Sequence, residues 1–131
     1  MLTEFNSSLA VSESDYRKLS QLVEVSRSTA TDELDGELCK ADVLPDNALP
    51  ETFVALYDTV VFRDIDTGRT RIVSIVMPWE SNVSKSQISI LSPVGIALIG
   101  EPLGTRVVWP LLNGQRANLE IEQIIRGANR K

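Results

Sequence analysis

Residues 88–100, which read ISILSPVGIALIG, are the stretch around which this chain is organised. Isoleucines alternate with polar residues at its start, as expected of a strand with one buried face. Ser92 is a favourable helix N-cap, and Pro93 suits the first helical position, where an N–H group has no helical partner to lose. Gly100 can adopt the left-handed conformation that ends many helices. The stretch therefore predicts a strand that passes directly into a short helix, which starts at Pro93 and is ended by Gly100.

The order of small residues in this run is a second feature. Ser-Pro is followed by a hydrophobic residue, Gly95, any residue, Ala-Leu, a hydrophobic residue and Gly100, and a Leu103-Gly104 turn lies just beyond. This order resembles the C-terminal domain that the bacterial Gre transcript-cleavage factors share with their shorter Rnk-type relatives, regulators of nucleoside diphosphate kinase. The alternative is that a Ser-Pro cap closes an unrelated α+β domain. The resemblance covers nearly the whole chain and is strongest over residues 58–125.

The composition limits the chemistry that is available. The chain has 131 residues, enough for one domain or one domain with an appendage, and it contains no histidine and a single cysteine, Cys39. Because histidine is the commonest general base and metal ligand, a transition-metal site would have to be built from carboxylates alone. We therefore expect no enzyme activity and no cofactor. A lone cysteine and the lack of a signal-peptide pattern predict a cytoplasmic protein. Because no apolar run approaches the roughly 18 residues that span a bilayer, we expect that it does not enter a membrane.

Charge is unevenly distributed along the chain. The net charge is −5, but residues 1–50 hold ten acids and four bases (net −6), whereas residues 51–131 hold eight acids and nine bases (net +1). Because nucleic-acid binding needs a basic face, we expect no direct sequence-specific contact with nucleic acid. The acidic half has two interpretations, a solvated helix surface or a functional appendage on a near-neutral body.

Two helices are predicted between a loose leader (residues 1–11) and the first proline. Ser12 and Asp15 resemble a capping box in front of a helix over residues 13–25. Its apolar stripe consists of Tyr16, Leu19, Leu22 and Val23. A short turn leads to a second helix, capped by Thr29 or Thr31, and this turn should make the two helices antiparallel. The buried side of the second helix is predicted to consist of Leu34, Leu38 and Ala41, with Cys39 beside them.

The rest of the chain has the two-residue periodicity of strands. Strands are expected over residues 58–63, 70–77, 88–91, 106–109 and 117–125, before a polar tail from residue 126. Turns are expected at Asp66-Thr67-Gly68 and Asn113-Gly114. The order predicts an α+β protein: a leader, a short antiparallel helical hairpin (coiled coil) and a proline-rich linker in residues 1–50, then an antiparallel-sheet domain with one short helix in residues 51–131. The resemblance implies that this second domain is FKBP-like.

The resemblance also implies a partner. In the Gre factors a long helical hairpin enters the secondary channel of RNA polymerase, and acids at its tip help to hold a metal ion for cleaving backtracked RNA. Here the tip carries Arg27 and Ser28 but no acid, and the nearest carboxylates, Asp32 and Glu33, lie in the first turn of the second helix. A helix over residues 13–25 reaches roughly 20 Å, short of the Gre arm. We therefore expect a monomer that binds core RNA polymerase at the rim of the secondary channel, competes with Gre factors and does not stimulate cleavage.

The predicted polymerase-binding surface is the tip of the Ser-Pro helix. Its residues are Ser92, Pro93, Val94, Gly95 and Ile96. Ile96 and Ile99 fall off the apolar face of this helix, so they are either part of the interface or buried on a second side of an enclosed helix.

Two other functions stay open. A peptidyl-prolyl isomerase or other protein-binding module would follow from an FKBP-like fold, although the chain has only seven aromatic residues to build a pocket. Direct regulation of nucleoside diphosphate kinase would follow from the name of the Rnk-type proteins.

Overall fold

The computed structural model describes residues 9–110 and 114–127. Helices α1, α2 and α3 span Glu13–Val25, Thr29–Lys40 and Pro93–Leu98. Strands β1 to β7 span Leu9–Ser12, Ala41–Leu44, Thr59–Asp64, Thr70–Val76, Gln87–Ser89, Arg106–Pro110 and Arg116–Ile125. Most of the predicted leader, Asn113 of the predicted hairpin turn and the end of the predicted tail lie outside the described residues. No helix in the described part is long and apolar enough to cross a membrane.

The main sheet has five strands in the order β5-β4-β3-β7-β6. β3 pairs antiparallel with β4 and β7, and β6 pairs antiparallel with β7, whereas β4 and β5 are parallel. Alternation explains the central strand, because Val60 and Phe62 of β3 are buried. Gly68 has φ +78° in the turn between β3 and β4, as its position predicted. The α+β class and the mostly antiparallel sheet are confirmed.

The two N-terminal helices form where the sequence predicts them, but one cap differs. Ser12 caps α1 by accepting a hydrogen bond from the N–H of Asp15 at 3.1 Å. The cap of α2 is Ser28, and neither Thr29 nor Thr31 occupies that position. Thr31 instead completes a reciprocal capping box, because its Oγ1 accepts from the Ser28 N–H at 2.7 Å while Ser28 Oγ accepts from the Thr31 N–H at 3.2 Å.

A small parallel sheet, β1 paired with β2, was not predicted. Residues 9–12 were expected in the leader, and residues 41–44 were expected at the end of α2 and in the linker. Each strand has only four residues, so its pattern is too short to predict a pairing across the helical hairpin. The sheet is joined to the Ser-Pro stretch, since the Ala10 N–H donates to the carbonyl oxygen of Gly100 at 3.1 Å.

One hydrophobic core joins the helices to the sheet. Leucines of α1 and α2 belong to the same buried cluster as residues of the main sheet and of the Ser-Pro stretch. The core includes Leu19, Leu22, Leu34, Leu38, Phe62, Ile75 and Ile90. The two helices therefore pack on the sheet and do not stand apart from it. Asp15 adds a polar tie, because its buried Oδ2 accepts from the N–H of Leu56 at 3.0 Å.

Cys39 is also placed differently from the prediction. It was expected beside the buried leucines of α2, but its side chain is exposed. The buried positions of this helix are Thr31, Leu34 and Leu38, which lie three and four residues apart on one face. Residue 39 follows Leu38 directly and so points away from that face.

Candidate functional site

The Ser-Pro elbow between β5 and α3 is built by hydrogen bonds of Ser89 and Ser92. Ser92 Oγ donates to the Ser89 carbonyl oxygen at 2.6 Å and accepts from the Gly95 N–H at 3.1 Å, which makes Ser92 the N-cap of α3. Ser89 Oγ accepts from the N–H of Leu91 at 2.9 Å, so the chain between the strand and the helix is fixed as well. Pro93 is the first helical residue, as predicted.

Two glycines allow the elbow to pack closely against its surroundings. A Cβ atom on Gly95 would lie 2.5 Å from the Ser89 carbonyl oxygen and 3.0 Å from Ile90 Cα, so only glycine fits there without a backbone shift. Gly100 has φ +79°, and its N–H donates to the carbonyl oxygen of Val54 at 2.8 Å. The predicted left-handed residue is confirmed, although the C-cap of α3 is Ile99, one residue earlier.

The predicted binding residues differ in exposure. Pro93 is exposed, Ser92 and Val94 are half-buried, and Gly95 and Ile96 are buried. Ile99 is also buried, so the interpretation of α3 as a helix enclosed on two sides is confirmed. Pro93 is therefore the member of the set with most surface to offer a partner.

A groove between α2, α3 and β6 brings together two sites that the sequence predicts separately. It encloses about 610 Å³, and Glu33 of α2 lines it together with Pro93 and Ile96 of α3. Arg27, Ser28 and Asp32, the other predicted arm-tip residues, are exposed but do not line it. The remaining lining residues are Glu37, Lys40, Ala97, Glu101, Arg106, Val107 and Val108.

Glu101 gives the groove an unusual ionisable group. Burial, and then the nearby Glu37 carboxylate, raises the pKa of this carboxyl to about 7, and the Lys40 ammonium opposes the shift. Four residues of this groove were not predicted from the sequence: Glu37, Lys40, Glu101 and Arg106. A signal was present in part, because Glu33, Glu37 and Lys40 are spaced four and three residues apart and so share one face of α2.

The turn between α1 and α2 is short and polar. It consists of Ser26, Arg27 and Ser28, and Ser28 is occupied by the capping box of α2. Asp32 and Glu33 are exposed in the first turns of α2, where carboxylates interact favourably with the helix dipole. Among the residues that the structure describes, no three His, Cys, Asp or Glu side chains are grouped so that they could hold a metal ion.

Comparison with known proteins identifies the family. Residues 49–126 match the model of the family described as "Transcription elongation factor, GreA/GreB, C-term". The chain belongs to the GreA/GreB family. The match contains the main sheet, the Ser-Pro elbow and part of the groove, which confirms the resemblance that the pattern of residues 88–104 suggests.

Individual relatives agree with this assignment. The "Regulator of nucleoside diphosphate kinase" of Escherichia coli (strain K12) is 31% identical over 93 residues, which are 71% of this chain and 68% of that protein. "Transcription elongation factor GreA" of Syntrophus aciditrophicus is 34% identical over 92 residues, 70% of this chain but only 56% of that protein. Among solved structures, a "Prokaryotic transcription elongation factor GreA/GreB" from Nitrosomonas europaea is 30% identical, with a TM-score of 0.78 over 91% of this chain and 98% of that one.

Proposed function

We propose that this protein regulates transcription by binding core RNA polymerase at the rim of the secondary channel. The observation that carries the proposal is the family match over residues 49–126 together with the Ser-Pro elbow, which presents Pro93 at an exposed position on a rigid base. The predicted contact set Ser92 to Ile96 then has two roles. Ser92, Pro93 and Val94 provide surface, whereas Gly95 and Ile96 are buried and hold that surface in place.

We further propose that the protein competes with Gre factors and does not stimulate transcript cleavage. α1 has 13 residues and therefore extends roughly 20 Å. Its tip presents Arg27 and hydroxyl groups, whereas a metal ion that assists phosphoryl chemistry needs paired carboxylates. Both helices also pack on the body through shared core leucines, so their reach beyond the body is less than their length.

The experiment is a cleavage assay on a stalled elongation complex. Added Gre factor should release short RNA more slowly as this protein is titrated in, and this protein alone should release none. If the protein stimulates cleavage alone and loses that activity on Asp32→Ala or Glu33→Ala, the interpretation of the arm tip is wrong. If Gre activity is unaffected at high excess, polymerase binding itself is contradicted.

A pair of proline variants tests the elbow as the contact surface. Pro93→Glu places an acid in the first turn of α3, which the helix dipole tolerates, so folding should be preserved while the exposed surface changes. Pro45→Glu changes an exposed proline in front of another short helical turn, outside the Ser-Pro elbow. We expect Pro93→Glu to abolish competition with the Gre factor and Pro45→Glu to leave it intact.

Three finer assignments accompany this proposal. The division into a helical hairpin up to residue 50 and an FKBP-like body beyond it is proposed from the family layout. The protein is proposed to act as a cytoplasmic monomer. Direct regulation of nucleoside diphosphate kinase is a second candidate function, favoured by the name of the Escherichia coli relative. A change in the activity of purified kinase on adding this protein, in the absence of polymerase, would favour that second function.

A further inference from the structure

A second groove lies between α1 and the end of β4. It encloses about 580 Å³, and its walls include Leu22 and Val25 of α1 together with Tyr57, Met77 and Trp79. Val25 is 79% exposed and Trp79 is 72% exposed, so two large apolar side chains of this Trp79 groove face solvent. Exposed apolar surface gathered in one place is typical of interaction sites.

The Trp79 groove and the Ser-Pro elbow lie at the same end of the main sheet. β4 and β5 are parallel, and Val76 at the end of β4 is the register partner of Ser89 at the end of β5. The Ile90 N–H donates to the Val76 carbonyl oxygen at 2.8 Å just beyond this pair. Because the carboxyl ends of neighbouring parallel strands share one edge, the segments that carry Trp79 and Ser92 start side by side. A partner at the elbow is therefore within reach of the groove.

Tyr57, a lining residue of the Trp79 groove, is held in a defined position. Its φ of +74° is a left-handed conformation that a bulky residue keeps only where the surrounding structure holds it. The Tyr57 hydroxyl donates to Glu80 Oε1 at 2.5 Å, and the same oxygen accepts from the Met77 N–H at 3.2 Å. Burial, and then the bond to Glu80, raises the pKa of Tyr57 to about 12, so the phenol keeps the proton that it donates. Tyr57 and Met77, two lining residues of the groove, are thus tied to the same carboxylate.

The charged side chains of the Trp79 groove indicate which partner groups it binds. Its charged lining residues are Lys18 and Glu24. The Lys18 ammonium lies 5.9 Å from the centroid of the Tyr57 ring, whereas Glu24 is exposed in the last turn of α1. That turn contains no basic residue, so the negative end of the helix dipole adds to the Glu24 carboxylate. The exposed Trp79 ring also attracts cations.

We propose that the Trp79 groove is a second docking surface for the partner of the Ser-Pro elbow, and that it takes an apolar side chain flanked by an arginine or lysine. This inference rests on the proposed function, in which the partner is core RNA polymerase. The apolar side chain enters between Val25 and Trp79, and the basic group lies against Glu24.

Binding of purified core RNA polymerase tests the groove. We expect Trp79→Ala to raise Kd at least tenfold, as a central exposed tryptophan at an interface does. Val83→Ser is the matched control, because Val83 is 92% exposed and apolar but does not line the groove, and its Kd should stay within about twofold of the wild type. Equal Kd values for the two variants would overturn the groove assignment while the proposed function stands. Absence of binding by the wild type would overturn both.

Two further measurements test the chemistry of the occupant. Glu24→Lys should weaken binding several-fold at low salt and much less at high salt, whereas Glu51→Lys, at an exposed acid that does not line the groove, should not. A benzophenone amino acid in place of Val25 should cross-link to a polymerase segment with an apolar residue next to a basic one, and cross-linking to a segment without a base would contradict the proposal. If the free protein dimerises in sedimentation experiments and Trp79→Ala abolishes the dimer, a second copy fills the groove and the proposal is wrong.

Discussion

Replacing Gly95 by alanine should separate the steric requirement of the elbow from helix propensity. The added Cβ would lie 2.5 Å from the Ser89 carbonyl oxygen, about 0.9 Å inside the 3.4 Å at which ordinary contact begins. Alanine stabilises a helix interior by about 1 kcal/mol relative to glycine, whereas overpacking costs about 1–3 kcal/mol. Because the atoms that the new Cβ would meet, the Ser89 oxygen and Ile90 Cα, belong to the backbone and cannot rotate away, we take the upper part of that range. Gly95→Ala should therefore lower the free energy of unfolding by about 1–2 kcal/mol.

Gly36→Ala is the matched control for this prediction. Gly36 also lies inside a helix, α2, but nothing lies within 4 Å of its ideal Cβ position, so the variant gains propensity without a clash. It should raise the free energy of unfolding by about 0.5–1 kcal/mol. Urea titrations followed by circular dichroism measure both variants at one pH. Equal stabilisation by the two substitutions would refute the close approach of α3 to the end of β5.

Three further predictions concern stability. Pro93→Ala should lower the free energy of unfolding by less than about 1 kcal/mol, because a first-turn proline acts mainly on the unfolded chain. Gly100→Val should lower it by more than about 2 kcal/mol, because a β-branched residue is forced to φ +79°. Equal melting midpoints for the two variants would contradict this difference. Glu101→Gln should remove a pH dependence of stability. The folded pKa of Glu101 is about 7, above the unfolded value, so the native state holds an extra proton and wild-type stability falls from about pH 4.5 to pH 7 and then levels. Urea midpoints measured across this range should show that fall for the wild type and not for the variant. Asp15→Ala should cost about 1–3 kcal/mol in the same titration, because it leaves the buried N–H of Leu56 without that acceptor; a loss under 0.5 kcal/mol would contradict the buried tie.

The elbow could be predicted from the sequence because each of its constraints acts over a few residues. Ser92 reaches the Gly95 N–H three positions away, and Pro93 fits the helix through its own φ. Ser28, the cap of α2, was not predicted because its local sequence does not distinguish it from its neighbours. Several hydroxyl residues follow one another there, and only the observed reciprocal bonds with Thr31 distinguish between them.

The sequence could not place the candidate site as a whole. Glu33 and Pro93 were predicted in two separate regions of the chain, and packing of α2 against α3 brings them into one groove. Periodicity placed Ile96 off the apolar face of α3 and left open whether it is buried or exposed to a partner. Its burial depends on contacts with other elements rather than on α3 itself. The raised pKa of Glu101 likewise arises from burial and from Glu37, which is far away in sequence.

The sequence by itself determined the local elements of this protein and its family, because capping, proline and glycine conformations and strand alternation are written over a few neighbouring residues. Tertiary structure alone decided how these elements meet. The hydrogen bond from Leu56 to Asp15 spans 41 residues, and β1 pairs with β2 across the whole helical hairpin. Such contacts form only when buried apolar surface from distant segments packs together, so no local pattern predicts them.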